Sequence, residues 1–244
     1  MSRPLKWIGG ISVYLTATYA SYHIAKIMYL PDAPTDASVQ ENSSTVSKPY
    51  KTLAADYDAM IGWDEYFMGM NSKRRHLIEK CTGNVLETSA GTGRNLEFYP
   101  KNLESLLITD QIPEMLEIAY RKPASFKETK FALMDAHSLN MPDASVDTVV
   151  DTFGLCSFYD PIKALKEMKR IIKPEGRVLL LQHGRSHYDW LNTALDRTAA
   201  AHALKWGCWW NRDILNLVQK AGFRIVDERR YHFGTTYMLV LAPN

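Results

Sequence analysis

The order of apolar segments between residues 84 and 244 limits the fold more than any other feature of this sequence. Five short apolar segments predict β-strands, at Asn84–Thr88, Ser105–Asp110, 129–135, Val146–Thr152 and 176–183. Helical patterns follow three of them, at 94–99, 113–121 and 161–172, and the last two begin with a proline, which suits the first turn of a helix. Buried strands that alternate with helices predict a parallel sheet covered by helices.

The carboxyl-terminal part changes this pattern. A helix is predicted at 212–221, and Gly222 would end it. The apolar segments Phe223–Tyr231 and 236–242 follow, with only the four residues HFGT between them. Because four residues are too few for a helical crossover, these two strands should form an antiparallel hairpin. We therefore predict an α/β fold with seven strands, preceded by helical patterns at 51–60 and 65–81.

Residues 7–25 form a second distinctive segment, WIGGISVYLTATYASYHIA, which contains no Asp, Glu, Lys or Arg. Its length is close to the ~20 residues of a transmembrane helix. We predict a single-pass membrane anchor over 1–30, with a cleaved targeting segment and a soluble amphipathic helix as the alternatives. Residues 31–49 contain three prolines and many Ser and Thr residues, which predicts a flexible linker. The globular domain should then span 50–244.

Charge and cysteine content exclude several classes of protein. The chain has 29 Lys and Arg residues against 27 Asp and Glu residues, a net charge of +2. Since a protein that binds nucleic acid needs a basic surface, we expect no nucleic-acid partner, and Arg74 and Arg75 are interpreted as solvated side chains. Cys81, Cys156 and Cys208 are far apart and form no C-x-x-C pair, which argues against a disulfide framework and a structural zinc site. We expect no metal.

The stretch VLETSAGTGRN at 85–95 is the strongest candidate for a ligand site. Gly91 and Gly93 would let the backbone approach a ligand closely, at the carboxyl end of a strand where open α/β sheets bind their ligands. Asp110 ends the next strand about twenty residues on, where an acid binds ribose hydroxyls. A dinucleotide fingerprint would need a third glycine where Leu96 stands, so a nicotinamide-dependent dehydrogenase is disfavoured. Glu87 fits better beside a cationic amino-acid group.

Several motifs resemble one enzyme family. ETSAGTG, TDQIPEML and MDAHSLNMPDASVDTVV are similar to the first three motifs of class I S-adenosylmethionine-dependent methyltransferases. YKTLAADYD and MKRIIKPEGRVLLLQHG resemble the UbiE-like branch of that family. LLLQHGRSHYDWLN and HALKWGCWWNRD are similar to fungal mitochondrial inner-membrane methyltransferase-like proteins of the Oms type. The resemblance covers nearly all of 50–244 and implies the Rossmann-like, seven-stranded methyltransferase sheet.

The resemblance implies roles for individual residues. The first motif would hold the methionine end of S-adenosylmethionine, the second its ribose and adenosine, and the third its adenine edge. Tyr57 would close over the cofactor, and Thr152 would face it. The implied cofactor-binding set is Tyr57, Glu87, Ser89, Ala90, Gly91, Gly93, Asp110, Gln111, Met115, Asp135, Ala136 and Thr152. Ser89 stands where the family usually has glycine.

Residues outside these motifs are candidates for catalysis and substrate binding. His183 ends the fifth predicted strand, so its side chain could serve as a base, or it could be a structural histidine bonded to a loop carbonyl. Cys156 is interpreted as a buried core residue. Trp209, Trp210 and Arg212 are candidates for contact with the substrate, and the tryptophans could equally pack on the core.

These observations give a functional hypothesis with one main alternative. We expect a membrane-anchored methyltransferase in the mitochondrial inner membrane, with another endomembrane as the alternative location, acting on a small-molecule or lipid-like acceptor. The alternative is a non-catalytic mitochondrial assembly or scaffold protein that keeps the methyltransferase fold.

Overall fold

The computed structural model describes residues 19, 21, 22, 25 and 49–244. Residues 19, 21, 22 and 25 are helical. The rest of the predicted anchor lies outside the described residues, and so do residues 31–48 of the predicted linker. Within the described part, no helix combines the length and the apolar character that crossing a bilayer requires.

The domain begins with helices that lie before the sheet in the chain. Residues 49–53 are helical and continue through a 3-10 turn at Ala54–Asp56 into helix α1, Tyr57–Phe67, and helix α2, Met70–Ile78. The sequence predicted helices at 51–60 and 65–81, so the break lies later than expected. It falls at Gly69, whose φ of 61° is left-handed and ends the helical path.

The remaining elements alternate largely as the sequence predicts. The strands are β1 (Asn84–Thr88), β2 (Ser105–Asp110), β3 (Thr129–Leu133), β4 (Val146–Thr152), β5 (Ile172–His183), β6 (Phe223–Tyr231) and β7 (Thr236–Pro243). The helices are α3 (Pro113–Tyr120), α4 (Pro161–Ile171), α5 (Asp189–Trp206) and α6 (Ile214–Lys220).

All seven strands form one sheet in the order β3-β2-β1-β4-β5-β7-β6. The first five strands are parallel, and β7 lies antiparallel between β5 and β6. Neighbouring residues of a strand face opposite sides, so Val149 and Val150 of β4 belong to the two different apolar layers that cover the sheet. The predicted sheet and its terminal hairpin are confirmed.

One local prediction is wrong, and one helix was not predicted. The helix expected at 94–99 is wrong, because residues 91–98 form successive turns with i to i+3 hydrogen bonds, such as Leu96 N to Gly93 O at 3.3 Å. Helix α5 was not predicted, since only Asn192, Ala199 and Ala203 of its eighteen residues are buried, and they give little apolar periodicity. Gly207 ends this helix in a left-handed conformation, just before the tryptophan pair.

The pairing of the central strands aligns their carboxyl ends. Thr88 of β1 lies opposite Asp151 of β4, and Thr152 lies opposite Leu181 of β5. Asp110 ends β2 on the other side of β1. The polar residues at these ends therefore meet along one edge of the sheet.

Candidate functional site

An open cavity lies at this edge of the sheet. Counted with the solvent space at its mouth, it has a volume of about 700 Å³. It is lined by Tyr50, Tyr57, Arg74, Ser89, Ala90, Gly91, Thr92, Arg94, Asp110, Gln111, Ile112, Met115, Thr152, Phe153, Gly154, Ser157 and Phe158. Eight of the twelve residues predicted to bind a cofactor are in this set.

The turn after β1 forms the floor of the cavity. Gly91 has a φ of 56°, and a Cβ built on it meets no atom within 4 Å, so the glycine leaves open space beside the backbone. Gly93, with a φ of 77°, does not line the cavity. A Cβ there would lie 2.6 Å from the Leu96 side chain and 2.9 Å from Ala119 Cβ, so Gly93 lets α3 pack on the turn.

Ser89 also adopts a left-handed conformation, with a φ of 50°. Only glycine reaches this region without steric cost. The structure thus explains why glycine suits this position, and it shows that serine keeps the same turn.

Asp110 fastens this turn to the end of β2. Its Oδ2 accepts a hydrogen bond from Gly91 N and its Oδ1 accepts one from Ile112 N, both at 2.8 Å. Burial raises the pKa of Asp110 to about 6, although the backbone donors favour the charged form. Each oxygen keeps a lone pair that can accept a hydrogen bond from a ligand hydroxyl.

Arg74 contradicts the interpretation of a solvated pair, because only 4% of its surface is exposed, whereas Arg75 is exposed. It donates hydrogen bonds to Glu65 Oε1 at 2.7 Å, Thr152 Oγ1 at 2.9 Å and Asn95 Oδ1 at 3.0 Å. Its Nε is buried and has no hydrogen-bond partner among the described residues. An unpaired donor on a buried cation at the cavity wall fits an anionic ligand group.

Glu87 lies behind the cavity wall. It is fully buried and accepts hydrogen bonds from Asn95 Nδ2 and from the Tyr99 hydroxyl, both at 2.6 Å. Burial is the main reason that the pKa of Glu87 rises to about 7. Since Asn95 also binds Arg74 and Thr152, it connects Glu87 to the wall. Direct contact between Glu87 and a cofactor stays a prediction.

Asp135 and Ala136 lie outside the lining set. Asp135 Oδ1 accepts a hydrogen bond from His137 N at 2.9 Å and lies 2.5 Å from His137 Nδ1. The hydrogen bond with the His137 side chain is the main reason that the pKa of Asp135 is lowered. The predicted contact with an adenine edge remains untested.

The first helices are joined to the turn by ion pairs. Arg94 contacts Glu65 Oε2 at 2.7 Å and Asp58 Oδ1 at 3.1 Å, and Thr92 Oγ1 donates to Asp58 Oδ1 at 2.7 Å. These contacts hold α1 over the cavity. The sequence did not indicate Arg74, Arg94 or Thr92 as site residues, because their roles depend on how α1 and α2 pack against the turn.

His183 is not among the lining residues. Its ring packs on that of Phe153, which does line the cavity, with the ring centroids 4.4 Å apart. Its role as a base therefore stays a prediction, and the sulfur atoms of Cys156 and Cys208 lie within 4.8 Å of one of its ring nitrogens.

The three predicted substrate residues are not among the lining residues: Arg212 and Trp209 contact the segment after β4, and Trp210 contacts α5. Arg212 is buried and donates to Leu155 O at 2.9 Å and to Phe158 O at 2.6 Å. Trp209 N donates to Cys156 O at 2.8 Å. Trp210 Nε1 donates to Leu195 O at 3.2 Å, and its ring stacks on His202. Their contact with a substrate remains untested.

Comparison with known proteins finds relatives in sequence and in fold. Residues 86–180 match the family model described as a methyltransferase domain. A solved S-adenosylmethionine-dependent methyltransferase from Thermotoga maritima superposes with a TM-score of 0.63 at 18% identity, over 81% of this chain and 100% of that one.

Curated relatives are also methyltransferases. The chain is 35% identical over 210 residues to the mitochondrial methyltransferase OMS1 of Saccharomyces cerevisiae, a match that covers 78% of this chain and 45% of the yeast protein. It is 29% identical to the ubiquinone/menaquinone biosynthesis C-methyltransferase UbiE of Marinomonas sp., over 68% of each chain. The chain thus spans less than half the length of its yeast relative.

Proposed function

This chain belongs to the S-adenosylmethionine-dependent methyltransferases, and we propose that it transfers a methyl group from that cofactor to a small, lipid-soluble acceptor at the mitochondrial inner membrane. The observation that carries the proposal is the cavity bounded by the Gly91 turn, Asp110 and Arg74. Its three features match the three chemical parts of the cofactor.

The donor set of the cavity fits the cofactor part by part. The carboxylate of Asp110 would accept hydrogen bonds from the two ribose hydroxyls, as acids at this strand end do in related folds. The buried, unpaired Nε of Arg74 would meet the carboxylate of the methionine part. The open space beside Gly91 would admit the chain that joins these two parts. Met115 and Ile112 supply apolar surface for the adenine ring.

The bound cofactor would supply a methyl group on a cationic sulfur, ready for in-line displacement. The protein's own contribution is mainly to position the reactants, which can be worth ~7–11 kcal/mol of a bimolecular barrier. Tyr50 and Ser157 share a hydrogen bond of 2.6 Å and hold the first helical segment against the loop after β4. Both residues line the cavity.

The acceptor and the location are inferred from the relatives and from the amino-terminal sequence. UbiE is a quinone-biosynthesis methyltransferase by its description, and OMS1 is described as mitochondrial. The charge-free segment at 7–25 would tether the domain to a membrane and raise the local concentration of a lipid-soluble acceptor.

A labelled-donor experiment tests this function. The full chain is incubated with methyl-labelled S-adenosylmethionine and a mitochondrial lipid extract, and mass spectrometry searches for labelled product. We expect a labelled small molecule with the wild-type chain and at least a tenfold lower yield with Asp110→Ala, whose loss of a charged acceptor costs ~1.5–3 kcal/mol. Asp143→Ala, at an exposed ion pair with Arg170, is the matched control and should keep the yield.

The scaffold alternative draws support from the position of His183 outside the lining set. If cells that depend on this protein grow normally with Asp110→Ala, and no labelled product forms in any extract, the scaffold function replaces the enzyme function.

A further inference from the structure

Three side chains that could bind a metal ion meet next to the cavity. Cys156 follows β4, His183 ends β5, and Cys208 follows α5. One potential ligand atom from each residue lies within 4.8 Å of the other two. The two sulfur atoms are 3.0 Å apart, and Cys208 Sγ is 3.8 Å from His183 Nδ1. Both cysteines are free thiols and are buried.

These distances suit a single ion. A triangle with one side of 3.0 Å and two sides of no more than 4.8 Å has a point about 2.5 Å or less from all three corners. Zinc binds cysteine sulfur at about 2.3 Å and histidine nitrogen at about 2.0–2.1 Å. The two sulfur atoms would move apart by less than about 1 Å to become tetrahedral ligands of one zinc ion.

The backbone around the cluster is fixed by hydrogen bonds from several elements. Trp209 N donates to Cys156 O at 2.8 Å, which ties the segment that carries Cys208 to the one that carries Cys156. His202 Nδ1 lies 2.8 Å from Cys208 O, within hydrogen-bonding distance. His183 is paired with Thr236 in the antiparallel part of the sheet. The ligand atoms are thus held by segments that already contact one another.

The guanidinium of Arg212 strengthens the same arrangement. It donates to the carbonyls of Leu155 and Phe158, on both sides of Cys156. Arg212, which the sequence indicated for substrate contact, therefore holds the backbone on both sides of the Cys156 thiol.

We propose that Cys156, His183 and Cys208 form a binding site for one Zn²⁺ ion. Thiolate and imidazole ligands select a borderline or soft ion over Mg²⁺ or Ca²⁺, which prefer oxygen ligands. Binding forms two Zn–S bonds and one Zn–N bond and releases the two thiol protons to solvent, so that two thiolates balance the charge of the ion. Three protein ligands leave the fourth tetrahedral position to water or to another ligand.

The site would lie directly behind the cavity wall. Cys156 Sγ is 3.6 Å from the hydroxyl of Ser157, and the ring of His183 packs on Phe153, and both Ser157 and Phe153 line the cavity. A metal-bound His183 would be a ligand and not a base. The absence of C-x-x-C pairs does not exclude zinc here, because 52 residues separate the two cysteines of this cluster.

Metal titration of the reduced full chain tests the proposal without cofactor or activity. The protein is purified under inert gas with a non-thiol reductant, and zinc is measured by competition with a chromophoric chelator. Co²⁺ is used as a spectroscopic probe. We expect one Zn²⁺ per chain and a thiolate-to-cobalt charge-transfer band. Cys156→Ser, Cys208→Ser and His183→Gln should each lower zinc affinity at least tenfold, and both serine variants should weaken the cobalt band.

Cys81→Ser is the matched control, because Cys81 is also a buried free thiol but lies in the other part of the core, beside Leu77 and Val85. It should leave zinc affinity and the cobalt band unchanged. Circular dichroism confirms folding, and His183→Gln, at a half-buried position, provides a test if a serine variant does not fold. The proposal is overturned if the folded, reduced wild type takes up no stoichiometric zinc or cobalt, or if the three variants bind like the wild type.

Discussion

At the residue scale, the cavity depends on a few side chains that are held in unusual conformations or environments. Ser89 has a left-handed backbone, Arg74 is a buried cation with an unpaired donor, and Asp110 is a buried carboxyl. The sequence pointed to Ser89 and Asp110 because they lie in a recognisable motif. It could not identify Arg74, since burial of a helix arginine depends on the packing of α2.

We predict that Ser89→Gly stabilises the protein by about 1 kcal/mol, because a left-handed conformation costs a non-glycine residue roughly 1–2 kcal/mol and glycine adds some freedom to the unfolded chain. Urea unfolding measures the change. Ala144→Gly is the matched control at an exposed position with a φ of 47° and should give a similar gain. A lower unfolding midpoint for Ser89→Gly would contradict the assignment of strain to this turn.

Arg74→Lys should destabilise the domain by about 2–4 kcal/mol, because lysine cannot reproduce three directed hydrogen bonds and leaves buried acceptors unpaired. The bonds concerned are those to Glu65, Asn95 and Thr152. Arg75→Lys, at the exposed neighbouring position, should stay within about 0.5 kcal/mol of wild type. Equal effects of the two substitutions in chemical unfolding would refute the distinct role of Arg74.

At the element scale, the loop after β4 has the tightest packing around the site. A Cβ on Gly154 would lie 2.1 Å from Asp151 Oδ1, and that carboxyl also accepts hydrogen bonds from Thr88, Gln182 and Leu155 N. The alternation of apolar segments in the sequence predicts most of the strands and helices. It does not predict the conformation of this loop. Its path is set by contacts with the segment after α5, through the Trp209 backbone and the Arg212 guanidinium.

Gly154→Ala should therefore cost at least about 2 kcal/mol of stability, because the new methyl group forces the Asp151 carboxyl from its partners. Gly62→Ala is the opposite case, since a Cβ on Gly62 meets nothing within 4 Å in the middle of α1. Alanine there should stabilise the helix by about 0.5–1 kcal/mol. Thermal unfolding measures the stability of both variants. A stabilising effect of Gly154→Ala would contradict the close packing of Gly154 against Asp151.

At the scale of the whole molecule, buried carboxyl groups lie near the carboxyl ends of the parallel strands. Burial raises the pKa of Glu87 and Asp151 to about 7 and that of Asp110 to about 6. The family resemblance in the sequence anticipated the seven-stranded sheet and eight of the seventeen residues that line the cavity. The terminal hairpin followed from the short gap between the last two strands. The buried network behind the lining, from Glu87 through Asn95 to Arg74, needed the assembled fold, because its members come from separate elements.

These raised pKa values predict that stability falls as pH rises from about 4 to 7. Unfolded carboxyls titrate near pH 4, so between about pH 4 and 7 the native state binds more protons than the unfolded state, and stability falls until the native carboxyls have ionised as well. Urea midpoints at pH 5.5 and 8.0 measure the effect. Glu87→Gln, which removes one of the groups, should reduce the pH dependence, and an unchanged dependence would exclude Glu87 as a source.

The central claim is that the cavity binds S-adenosylmethionine, and calorimetric titration of the folded full chain with S-adenosylhomocysteine tests it most directly. We expect one binding site per chain, affinity at least tenfold weaker for Asp110→Ala, and wild-type affinity for Asp143→Ala. Absence of binding by wild-type protein that circular dichroism shows to be folded, or unchanged affinity in folded Asp110→Ala, would contradict it.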